Sequence, residues 1–255
     1  MIDRKHLIVG TGHGARFVLK LLGCLPEVHS ADIASRNPKC TSYLARLYPE
    51  IDIIDVKEVS GTYHSVWLAV PDSCISYYAS SLQVRAERWI HLSGASEISL
   101  LNPHQEQGVV VWPVISLAAP YSIKEIPIVI ESAQEDSFVQ LIIQTFPKSI
   151  HLAYKERLTA HMAAVVANNF VQYLYEVLEE ELKENTIQRE LILPIISQTF
   201  SRIMDGQLSG SLTGPARRGD SATIEKHLIA IQSEHLMKVY EAITNCIREY
   251  YGKKL

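Results

Sequence analysis

The sequence lacks a long hydrophobic run, since no apolar stretch approaches the ~20 residues that a membrane-spanning helix needs. It also lacks a surplus of basic residues: the formal net charge is −4, which gives no argument for nucleic-acid binding. The first residues lead directly into a strand-like segment, without the hydrophobic stretch of a signal peptide. With 47% hydrophobic and 20% charged residues, the chain is predicted to be a globular cytoplasmic protein.

Spacings typical of disulfide frameworks and metal sites are also missing. The ten histidines form no His-Glu-x-x-His pair. No Cys-x-x-Cys pair occurs among the four cysteines, which are Cys24, Cys40, Cys74 and Cys246. The sequence therefore predicts free thiols in a reducing compartment and no metal site.

The most informative segment present is HLIVGTGHGA, at residues 6–15, where an apolar run ends in a glycine-rich turn. Gly10 would allow a tight turn, Gly12 would let a pyrophosphate approach the backbone, and Ala15 would keep the next helix close to the strand. The N-terminus of that helix would face the phosphates. The segment predicts a dinucleotide-binding loop with contacts from Gly10, Thr11, Gly12, His13, Gly14 and Ala15. A glycine-rich turn in some other α/β protein is the alternative.

Strand-like and helix-like segments alternate in the first part of the chain. Helices are expected at residues 16–22, 42–48 and 134–146. Strands are expected after the first one at residues 28–35, 51–56, 65–70, 89–92, 108–112, 127–131 and 149–152. This alternation predicts an α/β domain with a mainly parallel, doubly wound sheet over residues 1–153.

From Lys155 onward the strand signals stop, and apolar residues recur at intervals of three and four. This pattern predicts an all-helical domain over residues 154–255. Within residues 187–204, Pro194 predicts a kink or a break between two short helices.

The end of the second strand would determine the nucleotide preference, and two interpretations compete. Asp32 lies twenty residues after Gly12 and could bind a ribose 2′-hydroxyl, which favours NAD. If the strand instead reaches Ser35, its tip is formed by Ser35, Arg36 and Asn37. A hydroxyl, a guanidinium and an amide suit a 2′-phosphate, so this interpretation favours NADP, and we prefer it.

Two further strand ends would lie at the same binding edge of the sheet. Ala69, Val70 and Pro71 would pass beside the ribose and nicotinamide, with Pro71 in the first turn of a helix capped by Asp72 or Ser73. After the next strand, Ser93 could reach the carboxamide or the substrate, and Gly94 would permit close approach. Ordinary turn chemistry is the alternative for these residues.

Two segments of the helical half carry more polar groups than a plain helix needs. In HMAAVVANN, at residues 161–169, His161 and Asn168 would nearly eclipse each other, with Asn169 within a quarter turn. A polar cluster facing the nicotinamide is one interpretation, and a buried histidine with a helix-contact asparagine is the other. In LTGPARRGD, at residues 212–220, Arg218 is either an anion-binding group or the partner of a nearby acid, with Asp220 capping the last helix.

Taken together, these pieces resemble a family of Rossmann-like NADP oxidoreductases whose C-terminal half is a helical domain of unassigned function. The matching pieces are GTGHGA at residues 10–15, AVPD at 69–72, HLSG at 91–94, HMAAVVANN at 161–169 and LTGPARRGD at 212–220. The family is similar in architecture to 6-phosphogluconate dehydrogenase, 3-hydroxyisobutyrate dehydrogenase, pyrroline-5-carboxylate reductase and deazaflavin-linked NADP reductases. The resemblance implies a helical domain that helps to form a homodimer and closes the active-site cleft.

The predicted function is hydride transfer between NADP and a small polar carbonyl or imine. His161 would donate the proton, because an imidazole exchanges protons near neutral pH. Asn169 would orient the substrate or a water, Arg218 would bind a substrate carboxylate or phosphate, and Ser93 would contact the carboxamide or the reacting oxygen. Two positions depart from the family: Trp112 replaces a histidine and Ala160 an aromatic residue. A non-catalytic NADP-binding sensor or partner-binding protein is therefore the alternative.

Overall fold

The computed structural model describes residues 4–26, 29–38, 42–49, 51–134, 136–207, 210 and 212–252. Val28, the expected start of the second strand, and Cys40 lie outside these residues. The chain divides into two compact units, Met1–Ala164 and Val165–Leu255. The sequence analysis places the division at residues 153 and 154, whereas the helix that follows this point belongs to the first unit.

The first unit is built on a mainly parallel sheet, as the alternation of segments predicts. Its described strands are β1 (Arg4–Val9), β2 (His29–Ser35), β3 (Asp52–Asp55), β4 (Gly61–Tyr63), β5 (Ser65–Leu68), β6 (Val84–Ala86), β7 (Trp89–His91), β8 (Gly108–Pro113), β9 (Ile128–Ser132) and β10 (Ile150–His151). Eight of them form one sheet in the order β10-β9-β8-β7-β5-β1-β2-β3, and only the β8–β9 pair is antiparallel. Strands β4 and β6 form a separate parallel pair, which the sequence analysis missed.

Helices cover both faces of this sheet because its central strands are apolar on both sides. They are α1 (His13–Leu22), α2 (Ser42–Leu47), α3 (Ile75–Ser81), α4 (Ser137–Thr145) and α5 (Tyr154–Ala164). Ile8 of β1 faces one hydrophobic cluster with residues of α1 and α4, and its neighbours Leu7 and Val9 face a second cluster with residues of α3.

The strand order reverses at β1, and this reversal creates the binding crevice of the fold. From β1 the chain continues to β2 and β3 on one side, whereas β5, β7 and β8 extend the sheet on the other. In open α/β sheets, ligands bind at such a reversal, outside the carboxyl ends of the strands. The loops after β1, β2, β5 and β7 therefore lie at the edge of the sheet where such ligands bind.

The second unit is helical, as predicted. It contains a π-helix at Val165–Phe170, then α6 (Val171–Glu184), α7 (Leu193–Met204), α8 (Pro215–Arg218), α9 (Ser221–Ala230) and α10 (Glu234–Gly252). Pro194 predicts a kink or a break, and the structure has the break: a short 3-10 helix at Arg189–Leu191 ends just before α7 begins at Leu193. Pro194 itself lies in the first turn of α7, where proline is tolerated because its missing N–H has no helical partner. No helix among the described residues is both long and apolar enough to cross a membrane.

Few apolar side chains of the second unit are buried. Among its described residues, only Val177 and Ile224 belong to the buried hydrophobic set. Large apolar side chains that remain exposed include Phe170, Tyr173, Leu191, Ile195, Met204, Ile229 and Tyr250. The unit therefore presents an extensive apolar surface that contacts within one chain do not cover.

Candidate functional site

The glycine-rich loop joins β1 to α1 and lies against the end of β5. Gly10 has φ +119°, and a Cβ there would lie 2.2 Å from the carbonyl oxygen of Ala69, so only glycine fits. At Gly12, which precedes the first turn of α1, no atom lies within 4 Å of the Cβ position. Ala15 is fully buried. The loop is thus tight at its first glycine and open at its second, as a diphosphate-binding turn requires.

A cleft of about 360 Å³ lies beside this loop. It brings together nine of the residues predicted to bind cofactor, which are Gly10, Thr11, Gly12, Ser35, Arg36, Asn37, Ala69, Val70 and Pro71. Its lining also includes Val56, Cys74 and Tyr78, which sequence reasoning missed. Their spacing in the sequence could have identified Cys74 and Tyr78 as lining residues, since they lie one helical turn apart just after Pro71. The predicted residues His13, Gly14, Ala15, Ser93 and Gly94 are not in this lining.

The second strand ends at Ser35, as the NADP interpretation requires. Asp32 lies inside the strand, where its buried carboxylate accepts a hydrogen bond from the Tyr63 hydroxyl at 3.0 Å and pairs with Lys5 Nζ at 2.8 Å. The pKa of Tyr63 is raised to about 12, mainly by burial and secondly by the hydrogen bond to Asp32. The hydroxyl therefore keeps its proton, and this bond persists, at physiological pH. Asp32 is thus engaged by protein groups and does not line the cleft.

The tip of β2 is polar and lies at the cleft. The Ser35 hydroxyl accepts a hydrogen bond from the backbone N–H of Asn37 at 3.1 Å, which folds the tip back on itself. The side chains of Arg36 and Asn37 are exposed beside the cleft that they line. This tip offers a cation and no carboxylate to a ligand, an arrangement that suits a phosphate.

The loop after β7, at residues 93–96, is held by its own hydrogen bonds. The Ser93 hydroxyl lies 2.5 Å from Asp72 Oδ2 and accepts hydrogen bonds from the backbone N–H groups of Ala95 and Ser96, at 3.2 and 3.0 Å. The expected capping role of Asp72 or Ser73 is wrong, because both lie within a short 3-10 helix at Asp72–Cys74 whose cap position is Pro71, and no side chain caps it. Asp72 instead accepts the hydrogen bond from Ser93 and so connects the segment after Pro71, which lines the cleft, to the 93–96 loop.

Gly94 of this loop faces two aromatic rings. A Cβ at Gly94 would lie 2.4 Å from His161 Cδ2 and 2.6 Å from Trp112 Cε2. The rings of Trp112 and His161 have centroids 5.4 Å apart, and His161 is half-buried. Ala160 packs in the same cluster as Trp112, so the two positions that depart from the family pattern lie together. Gly94 therefore permits the close approach of protein side chains.

Arg157 of α5 is a residue that sequence reasoning missed. Its side chain is fully buried and donates hydrogen bonds to the carbonyl oxygens of Ser93, Gly94 and Ser96 at 2.7–2.9 Å. It also pairs with Glu131 at 2.8 Å. No local pattern marks it, because an arginine in a helix usually points to solvent.

His91 lies directly beneath the loop and is fully buried. Its Nδ1 accepts a hydrogen bond from the backbone N–H of Ser93 at 3.2 Å. Burial, and next the cation of Arg157, lower the pKa of His91 to about 4, so the imidazole is neutral at physiological pH. A neutral ring can accept this bond, which completes the support of the loop.

The remaining predicted residues belong to the second unit. Asn169 is exposed in the π-helix, and the α-helical period used to align it with His161 ends at Ala164. Arg218 is exposed at the last residue of α8. Asp220 caps α9 through hydrogen bonds from the backbone N–H and the hydroxyl of Thr223, and these bonds lower its pKa. Its predicted capping role is thus confirmed, although α9 is not the last helix.

Comparison with known proteins supports the resemblance. A family model described as a domain of unknown function (DUF2520) matches residues 126–247. No curated protein sequence matches the chain.

Three solved structures are similar over nearly the whole length. A provisionally named NADP oxidoreductase from Bacteroides fragilis is 22% identical, with a TM-score of 0.82, and the match covers 97% of this chain and 98% of that one. Pyrroline-5-carboxylate reductase from Streptococcus pyogenes is 15% identical, with a TM-score of 0.55 and coverage of 97% and 99%. A reductive aminase from Aspergillus terreus, solved with NADPH and ethyl levulinate, is 9% identical, with a TM-score of 0.66 and coverage of 97% and 94%. These matches confirm the fold: a Rossmann-like sheet followed by a helical region.

Proposed function

We propose that this protein is an NADP-dependent oxidoreductase that transfers a hydride between the nicotinamide and a small polar carbonyl or imine. The observation that carries the proposal is the cleft where the glycine loop meets the polar tip of β2, with Asp32 already bound by Lys5 and Tyr63. The NADP oxidoreductase and the NADPH-bound reductive aminase, which share the fold, support it.

The chain offers a separate group for each part of the cofactor. Gly12 and the N-terminus of α1 would hold the diphosphate, since the space there is open. Arg36, with Ser35 and Asn37, would hold the 2′-phosphate. The nicotinamide end would extend towards Pro71 and the 93–96 loop, because β5 and β7 lie on the other side of β1 from β2. The bound nicotinamide would supply the hydride, and the protein would orient the substrate and move a proton.

Four side chains are the proposed catalytic groups. His161 would exchange the proton, and its ring lies beside Gly94 and Trp112. Ser93 would contact the carboxamide or the reacting oxygen, although its hydroxyl is engaged with Asp72 in this structure. Asn169 would orient the substrate, and Arg218 would bind an anionic group on it.

The alternative is a protein that binds NADP without turnover and acts as a sensor or partner-binding module. It is favoured by Trp112, an indole without acid–base function that packs against His161. A panel of small carbonyl and imine compounds, incubated with NADPH, separates the two. Turnover of any member supports the enzyme, and tight NADPH binding with no turnover supports the alternative.

We propose further that the second unit forms a homodimer in the cytoplasm. Among its described residues the helical unit buries two apolar side chains and exposes many, so this part of the unit has little core of its own. A second copy would cover the same faces and stabilise both. Sedimentation equilibrium should give a dimer mass, whereas a monomer at micromolar concentration would contradict this part of the proposal.

The substitution Arg36→Ala tests the choice of cofactor. The wild-type protein should bind NADPH more tightly than NADH, and the variant should lose this preference because the neighbouring groups are uncharged. A hydrogen bond to a charged group contributes about 1.5–3 kcal/mol, so the ratio of dissociation constants should fall by about 10- to 100-fold.

Arg46→Ala is the matched control, because Arg46 is also exposed but does not line the cleft. It should leave the ratio unchanged. An unchanged ratio in Arg36→Ala itself would contradict the assignment and return the choice to Asp32.

A further inference from the structure

The buried guanidinium of Arg157 joins three separate parts of the first unit. Its donors reach the carbonyl oxygens of the 93–96 loop after β7, and they reach Glu131 on β9. The guanidinium also lies over the ring of Tyr154, with its carbon 5.5 Å from the ring centroid. Arg157 itself lies on α5 and is fully buried. One side chain therefore sets the distance between α5 and the loop.

The same helix carries His161 one turn later. Residues four apart in an α-helix lie on the same face, so Arg157 and His161 approach the loop from the same side. Both converge on Gly94: Arg157 binds its carbonyl oxygen at 2.8 Å, and His161 Cδ2 lies 2.4 Å from the place where a Cβ would stand. A shift of the 93–96 loop relative to α5 would thus move His161 relative to a ligand bound at the loop.

A gain in folding stability does not by itself explain the buried ion pair between Arg157 and Glu131. Burying Arg157 and Glu131 costs desolvation, and apolar pairs of similar volume often support a fold equally well. Three carbonyl oxygens of one loop, however, require several donors in a fixed plane, and only arginine supplies these. An arginine at position 157 is therefore explained if the geometry of the 93–96 loop has to be fixed.

We infer that Arg157 is a positioning residue: it fixes the 93–96 loop and His161 at the nicotinamide end of the cofactor site. The inference rests on the proposed function, because that function brings the nicotinamide to this loop. The adenosine end lies at the tip of β2, in a cleft whose lining contains none of Arg157, Glu131 or the loop. The two ends of the cofactor should therefore respond differently to a change at Arg157.

Two binding probes measure this difference. NADPH contacts both ends of the site, and adenosine 2′,5′-bisphosphate contacts only the adenosine end. In Arg157→Lys, which keeps the charge but loses the planar set of donors, the dissociation constant for NADPH should rise at least about tenfold, since several charge-assisted bonds that hold the loop are lost. The constant for the bisphosphate should stay within about twofold, a change too small to indicate a lost contact.

A double variant separates positioning from stability. Arg157→Met with Glu131→Leu removes both charges together, so that no unpaired ion is left buried. It should show the same selective loss of NADPH affinity. Arg85→Met is the control, because Arg85 is exposed on β6 and touches neither the loop nor the cofactor cleft. It should bind both probes as the wild type does.

The outcomes distinguish the inference from the function beneath it. A selective loss of NADPH affinity in both Arg157 variants supports the positioning role. Equal losses for the two probes, or no loss for either, would overturn it, because Arg157 would then act only on stability or on nothing at this site. If the wild-type protein binds neither probe, the proposed function fails first, and the inference fails with it.

Discussion

Acid should destabilise the first unit through His91, whose side chain is fully buried beneath the 93–96 loop. Burial, and next the Arg157 cation, lower its pKa to about 4, whereas an unfolded chain keeps an ordinary value of about 6.5. Between these values the unfolded state binds the proton and the folded state does not. The free energy of unfolding therefore falls as the pH falls through this window. At about 1.4 kcal/mol for each pH unit, the loss attributable to His91 reaches about 3 kcal/mol at pH 4.

Urea unfolding at pH 7 and pH 4 measures this loss, with His91→Asn as the reference. The asparagine side chain carries an oxygen that can still accept the hydrogen bond from Ser93, but it does not titrate. Carboxylates titrate alike in both proteins, so their contribution cancels in the comparison. The wild type should lose about 3 kcal/mol more than the variant. Equal losses in the two proteins would refute the reasoning, because His91 would then charge without cost in the folded state.

Two further substitutions test the site. Gly12→Val should abolish the binding of NADPH measured by calorimetry, because the side chain would fill the space left for the diphosphate. An unchanged circular dichroism spectrum would show that the fold persists. Retained binding would show that the loop is not part of the cofactor site. His161→Ala should lower turnover with any active substrate by about 100-fold, the usual contribution of a general acid, with little change in NADPH affinity. Unaffected turnover would make His161 a packing residue only.

The features that the sequence predicted are local ones. Gly10 predicts a tight turn because its backbone needs a positive φ, Gly12 predicts a position where a ligand can approach the backbone, and the strand before them is a continuous apolar run. The end of β2 at Ser35 follows from the expected start of this strand near residue 28 and the ordinary length of a strand. These signals lie within a few residues of the structure that they specify, so no tertiary information is needed to read them.

The features that the sequence could not predict depend on residues far apart in the chain. Arg157 meets Ser93 across 64 positions and Asp72 meets Ser93 across 21, and neither residue type marks such a contact. The short strands β4 and β6 carry too few residues for a period to be seen. The start of α7 at Leu193 is not marked in the sequence either, so Pro194 predicts a kink or a break without showing which of the two forms.

Calorimetric titration of the wild-type protein with NADPH and with NADH tests the central claim most directly. The account predicts saturable binding of both nucleotides to one site per chain, with NADPH the tighter, because the β2 tip presents Arg36 and no carboxylate to the ligand. Well-folded protein that gives no heat with either nucleotide at millimolar concentration would contradict it.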